Sequence, residues 1–190
     1  MARAKLKTKN KAGKPYRCCR CSEPIIAGQG YYVWKFRYGG KYMQHATHGA
    51  PKPSQLTQSK MSGAYSAIEA AEDAINAAAT ADDIASALND CASSIEDVRS
   101  EYEEGLDNMP DGLREAAESG ETGERMQALE EFKDSLESAA SDIESEEFEA
   151  EEPGEDVPLD EAAKALAEKK QEWLDDLKQR ASDALGEFSL

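Results

Sequence analysis

Cys18-Cys19-Arg20-Cys21, then twenty-three intervening residues, then His45-Ala46-Thr47-His48: this stretch decides how the N-terminal part of the chain folds. Cys18 and Cys21 form a CxxC pair, and His45 and His48 an HxxH pair. A CxxC turn presents two thiolates to one point, and an HxxH on one helical turn presents two imidazoles, so the four residues predict a tetrahedral zinc site. Two thiolates also neutralise the ion, which allows burial without a large solvation cost. The gap exceeds the roughly one dozen residues of a C2H2 finger, and a β-hairpin accounts for the difference. Tyr31-Tyr32-Val33-Trp34-Lys35-Phe36 is rich in strand formers, Gly39-Gly40 marks a tight turn, and Lys41-Tyr42-Met43-Gln44 returns directly to His45. Knuckle, hairpin and histidine pair, in that order, predict a treble-clef or zinc-ribbon-like module over residues 15–53. A module of about forty residues needs a metal or disulfide to supplement its core.

The competing assignment is a redox CxxC with incidental histidines. It lacks the βαβ pattern that surrounds such motifs, and the chain's only two histidines stand three residues apart. Cys19 is expected to be a bystander, and Cys91, on a helical seam, a small core residue. Four protein ligands leave no open coordination position, so the site is expected to be structural. With both histidines committed, no nucleophile has a partnered base, and no enzymatic activity is expected.

The charge is divided sharply. The 190 residues carry a net charge of -17; residues 1–60 hold 13 Lys/Arg and one acid, Glu23, whereas residues 61–190 hold 9 Lys/Arg and 38 Asp/Glu. This asymmetry suggests a polyanion-binding part joined to an acidic body. Residues 1–14 alternate basic with small residues and offer nothing to a core. They predict a disordered basic arm, serving either phosphate contact or solubility. Arg17, Arg20, Lys35, Arg37 and Lys41 are the candidate nucleic-acid-binding residues of the module. They interleave with Tyr31, Tyr32, Trp34, Phe36, Tyr38 and Tyr42, which either stack on bases or cover the small core. On a strand, Tyr32, Trp34 and Phe36 share one face and Tyr31, Val33 and Lys35 the other; one set is expected to be core.

Pro51-Lys52-Pro53 closes the module, because proline restricts itself and the residue before it. Beyond it the chain is expected to be mostly α, an acidic helical body over 54–190. Met61, Tyr65, Ile68, Glu72 and Ile75, and then Ile84, Leu88, Cys91, Ile95, Val98 and Tyr102, alternate steps of four and three, as in a long antiparallel helical hairpin or coiled-coil bundle. Thr80 is placed to cap the second helix, with Asp82 and Asp83 in its first turn, and that helix should end near Asn108. Gly120 and Gly123 weaken a third helix carrying Met126, Leu129, Phe132, Leu136, Ile143 and Phe148. An acidic loop near 144–158 precedes a last helix over 160–185, with Ala163, Leu166, Trp173, Leu177, Ala181 and Leu185 as candidate buried positions. Exposed seams of this kind suit homo-oligomerisation. No run of eighteen apolar residues and no leader-like apolar segment occurs, so no membrane span and a cytoplasmic location are expected. The dense Asp and Glu form either a solvated outer face, a DNA-like surface for a basic protein partner, or, at Glu144–Asp156, a holder for the chain's own basic arm.

Two resemblances bear on function. Cys18 and Cys21, Ile25 or Ile26, Gly28, an aromatic strand and the histidine pair are similar in order to the nick-sensing zinc finger of poly(ADP-ribose) polymerases, which implies binding at DNA ends. That family uses Cys-Cys-His-Cys ligands over a longer segment, and His48 stands where its last cysteine would be. The stretch Gly30-Tyr31-Tyr32-Val33-Trp34-Lys35-Phe36-Arg37-Tyr38-Gly39-Gly40-Lys41, followed by Pro53-Ser54-Gln55-Leu56-Thr57-Gln58-Ser59, resembles uncharacterised tailed-bacteriophage proteins that continue into acidic helices. That likeness implies an accessory phage protein made in a bacterial host's cytoplasm, and supplies no activity.

Overall fold

The computed structural model describes residues 4–37, 39–149 and 159–188. The chain divides into two compact units, Met1–Ser66 and Ala67–Leu190.

The first unit is built on five short strands: β1 (Lys7–Lys9), β2 (Tyr16–Arg17), β3 (Pro24–Ile25), β4 (Tyr31–Lys35) and β5 (Lys41–His45). β2 and β3 pair as one antiparallel hairpin, and β1, β4 and β5 form a three-stranded antiparallel sheet in that order. The β4–β5 register sets Tyr31 opposite His45, Val33 opposite Met43, and Trp34 opposite Tyr42. Directly paired residues share a face. One face therefore carries Tyr31, Val33, Met43 and His45 toward a core of Ala12, Cys18, Ile25, Tyr31 and Val33, with Tyr16 and Met43 packed against it. The other face is covered as well, since Trp34 and Gln44 are buried. Both alternating sets of β4 thus lose solvent, not one. After β5 come a 3-10 turn (Ala46–His48) and a one-turn helix α1 (Pro53–Leu56) with proline at its start.

Two boundaries differ from expectation. The basic arm over 1–14 is not disordered throughout: Lys7, Thr8 and Lys9 pair with Val33, Tyr32 and Tyr31. Ala12 is buried, its N–H donating to Gln29 O (2.9 Å) and its carbonyl accepting from Gly28 N (3.1 Å). The edge of β4 supplies backbone partners that the composition of the arm does not reveal. The first unit also runs past Pro53. Ala4 N donates to Leu56 O (2.9 Å), tying residues beyond the predicted boundary to the start of the chain.

The second unit is helical: α2 (Met61–Ala77, which crosses the division), α3 (Ala81–Asp107), α4 (Asp111–Glu118), α5 (Glu121–Glu144) and α6 (Leu159–Gly186). Thr80 caps α3 as expected, in a capping box in which Asp83 N donates to Thr80 Oγ1 (3.1 Å) and Thr80 N donates to Asp83 Oδ2 (3.0 Å). Hydrogen bonds from the Thr80 hydroxyl and from backbone N–H hold the Asp83 carboxyl below its ordinary range. The antiparallel hairpin is made by α3 with α5, across α4. Lys133 meets Glu96 at 3.7 Å, while Met126, earlier on α5, shares a small cavity with Glu103 and Leu106, later on α3.

The glycines expected to weaken the third helix break it into α4 and α5. A Cβ on Gly123 would stand 1.8 Å from Glu118 O, so the corner between them requires a residue without a side chain. Leu129, Phe132, Leu136 and Ile143 are buried as predicted, and Leu177, Ala181 and Leu185 with them. Ala163 and Leu166 are not core: α6 is exposed at every described position from Glu161 to Lys170. Trp173 is half-buried against Phe148, with ring centroids 5.6 Å apart, and Leu174 takes the buried place. Similarly Glu72 is exposed, with Ala71 in the core. Among the described residues no Asp or Glu is buried, so the acidic side chains form a solvated face. Most of the predicted acidic loop, including Pro153-Gly154, lies outside the described residues. No described helix is long and apolar enough to cross a membrane.

Candidate metal centre

The four residues that opened the sequence analysis come together at one point. Their ligand atoms all lie within 4.8 Å of one another. The β2–β3 hairpin makes the first half. Cys18 N donates to Glu23 O (2.9 Å) and Ser22 N to Cys18 O (3.0 Å), closing a knuckle in which Ser22 takes a left-handed φ of 64°. The knuckle then docks on the edge of β5, where Cys19 N donates to Met43 O (2.8 Å). Cys19 is outside the cluster, as expected of its thiol, and contributes through its backbone. Docking at Met43 sets Cys18 and Cys21 beside the end of β5, where alternation turns His45 onto the Met43 face. The 3-10 turn then carries the chain back so that His48 faces the same point. Gly49 ends the turn at φ 79°, a conformation that favours glycine, and its N–H donates to Ala46 O (3.1 Å).

The geometry fits a tetrahedral ion. Cys21 Sγ lies 3.5 Å from His45 Nδ1. The edge joining sulfur and nitrogen in a tetrahedron with Zn–S near 2.3 Å and Zn–N near 2.05 Å is about 3.6 Å. The imidazoles stand nearly perpendicular, 76° apart with centroids at 5.4 Å. His45 turns its other nitrogen, Nε2, toward Pro24 O at 3.4 Å, the backbone carbonyl contact that commonly orients a metal-bound histidine. His48 Nε2 is buried without a hydrogen-bond partner, as a donor atom committed to an ion would be. Burial of Cys18 opposes its ionisation, but backbone N–H groups of Cys21, His45 and Arg20 outweigh that and bring the thiol down to about 6. Cys91, by contrast, is buried on α3 with its thiol pushed up to about 12 by desolvation, an inert core group.

Two further side chains brace the centre. Arg20 Nη1 donates to His48 O (2.9 Å), bridging knuckle and turn. Gln44, 0% exposed, donates from Nε2 to Gly49 O (3.0 Å) and so fixes the far end of the histidine turn. Losing such an outer contact typically costs ten- to a hundredfold in metal affinity. Gln44→Ala is therefore expected to weaken metal binding by about that factor, measured by competition with a chromophoric chelator. An unchanged affinity would assign Gln44 to packing alone.

Of the candidate nucleic-acid contacts, Arg17, Arg20, Lys35, Arg37 and Lys41 are all exposed. The register adds residues that composition concealed. Lys7 pairs with Val33, Lys9 with Tyr31 and Lys35 with Lys41, so these four lysines share the face of the sheet that carries His45. Lys14 and Lys41 both reach the Tyr16 ring, at 5.8 and 5.9 Å from its centroid. The signal for Lys7 and Lys9 was present as period-two alternation, Lys5-Leu6-Lys7-Thr8-Lys9, which is a strand pattern as much as an arm's. Comparison of the chain with family models, with curated proteins and with solved structures found no match.

Proposed function

We propose that the first unit is a zinc-stapled, non-enzymatic module that binds nucleic acid through the phosphates. The supporting observation is the lysine face: Lys7, Lys9, Lys35 and Lys41 project from one side of one sheet. Lys35 and Lys41 stand directly opposite each other, an arrangement that costs stability in a free protein. A bound polyanion removes that repulsion. Zinc is the ion that two thiolates and two imidazoles in a closed tetrahedral set suit best. Its role is to hold the knuckle and the histidine turn on the sheet that displays the lysines. On its likeness to the tailed-bacteriophage proteins, the module would work in a bacterial host's cytoplasm as an accessory factor.

The test is the salt dependence of oligonucleotide binding by the zinc-loaded full chain. About five phosphate contacts give a log–log slope near -4.5 on duplex DNA, and near -3.5 on a single strand. Exchanging Lys35 and Lys41 together for glutamate should lower the magnitude of the slope by roughly 1.4 to 1.8 and weaken binding to all sequences alike. Absence of measurable affinity for DNA or RNA at low salt would reject the proposal.

A further inference from the structure

The other face of the sheet carries a different kind of surface. Alternation along β5 turns Tyr42 away from Lys41 and Met43 and onto the face of its cross-strand partner, Trp34. The two rings are nearly parallel, with centroids 5.8 Å apart and planes at 18°. Phe36 meets the Tyr42 ring edge-on, at 5.7 Å and 73°. Trp34 is 3% exposed, whereas Tyr42 is 38% exposed. A buried indole and a neighbouring phenyl thus hold a solvent-facing phenol ring in one orientation. An aromatic ring already fixed in this way gives up little conformational freedom when a ligand stacks on it. Lys41, next to Tyr42 on the edge strand β5, and Lys35, across from Lys41, are both exposed at the same end of the hairpin but on the opposite face, so positive charge lies around the sheet edge from the ring.

Base faces are available for stacking in a single strand and are used up in a duplex. A fixed exposed aromatic at a sheet edge, with paired lysines around that edge, suits a flexible single strand that turns over the edge and gives phosphates to the charges and a base to the ring. We infer that the nucleic acid bound by this module is single-stranded, with phosphates at Lys35 and Lys41 and a base stacked on Tyr42. This rests on the phosphate-binding function proposed above and narrows its substrate class. Tyr42 belongs to neither the metal cluster nor the buried core, so it can be changed without removing a ligand.

The test uses the zinc-loaded full chain, with fluorescence anisotropy of a short labelled oligo(dT) and of a duplex of equal length. The wild-type protein should prefer the single strand. Tyr42→Ala should weaken oligo(dT) binding by about five- to 150-fold, the range for losing one stacked base, and leave duplex binding and zinc content unchanged. Tyr42→Phe keeps a stacking face and should keep the affinity. The Lys35→Glu, Lys41→Glu double variant should weaken binding of both ligands. If the lysine variant loses binding while Tyr42→Ala binds oligo(dT) like the wild type, the stacking inference falls and the phosphate-binding function stands. A preference for duplex would overturn the inference in the same way. No binding of either probe at low salt would overturn both.

Discussion

Cys21→Ala is expected to unfold the metal-bearing module while the α3–α5 core stays helical. The module buries few large side chains: its core is Ala12, Cys18, Ile25, Tyr31 and Val33, and one of these is itself a ligand. Its strands are two to five residues long. A core of that size does not offset the entropy of ordering the chain around it. Structural zinc contributes on the order of 10–16 kcal/mol of folding free energy in small domains, so loss of one thiolate removes the largest single source of order. Trp34 reports on the event, because it is buried in the sheet. In a Trp173→Phe background, where it is the only tryptophan, its near-UV circular dichroism should collapse in Cys21→Ala or on addition of a strong chelator, with little change at 222 nm. A Trp34 signal that survives would show that the sheet needs no metal.

Acid should have a graded version of the same effect. The Cys18 thiol lies below its ordinary value, so ionised Cys18 contributes stability that is present at high pH and is lost as pH falls through about 6. Below about pH 6 its share of metal affinity should fall roughly tenfold per pH unit.

The metal centre was legible because its chemistry is local in sequence. Two spacings and the aromatic run between them sufficed, and the structure brings Cys18, Cys21, His45 and His48 together. The helical body was legible for the same reason, through runs of four-and-three spacing and a threonine cap. What the sequence concealed depends on partners remote in the chain. Lys7 and Lys9 read as part of a disordered arm because their short alternation fits an arm as well as a strand, and the partner that decides it, β4, lies more than twenty residues away. Arg20 read as a candidate nucleic-acid contact, and only the fold shows that it donates to His48 O. Gln44 was unremarked in a strand of polar and aromatic residues, yet it is fully buried and braces the histidine turn.

Leu129→Ala and Leu166→Ala should have very different consequences, although periodicity assigned both to the helical core. Leu129 is 0% exposed on α5 and shares that level of burial with Ile84, Leu88 and Ile95 of α3 and Leu136 of α5. Truncating it removes methyl groups from a fully buried site, and a close-packed surround collapses only in part. A loss of about 2–5 kcal/mol is expected, seen as a lower denaturation midpoint at unchanged m-value. Leu166 obeys the same spacing on α6 but is 41% exposed, in a half of the helix where every described position faces solvent. Its replacement should change stability by no more than about 0.5 kcal/mol. The two substitutions delete the same atoms, so the difference isolates packing from helix propensity. A loss at Leu166 comparable to that at Leu129, and dependent on protein concentration, would mean that this half of α6 is covered in solution by a second copy of the chain. Periodicity along one helix says which residues share a face; only the packing of a second element on that face makes it a core.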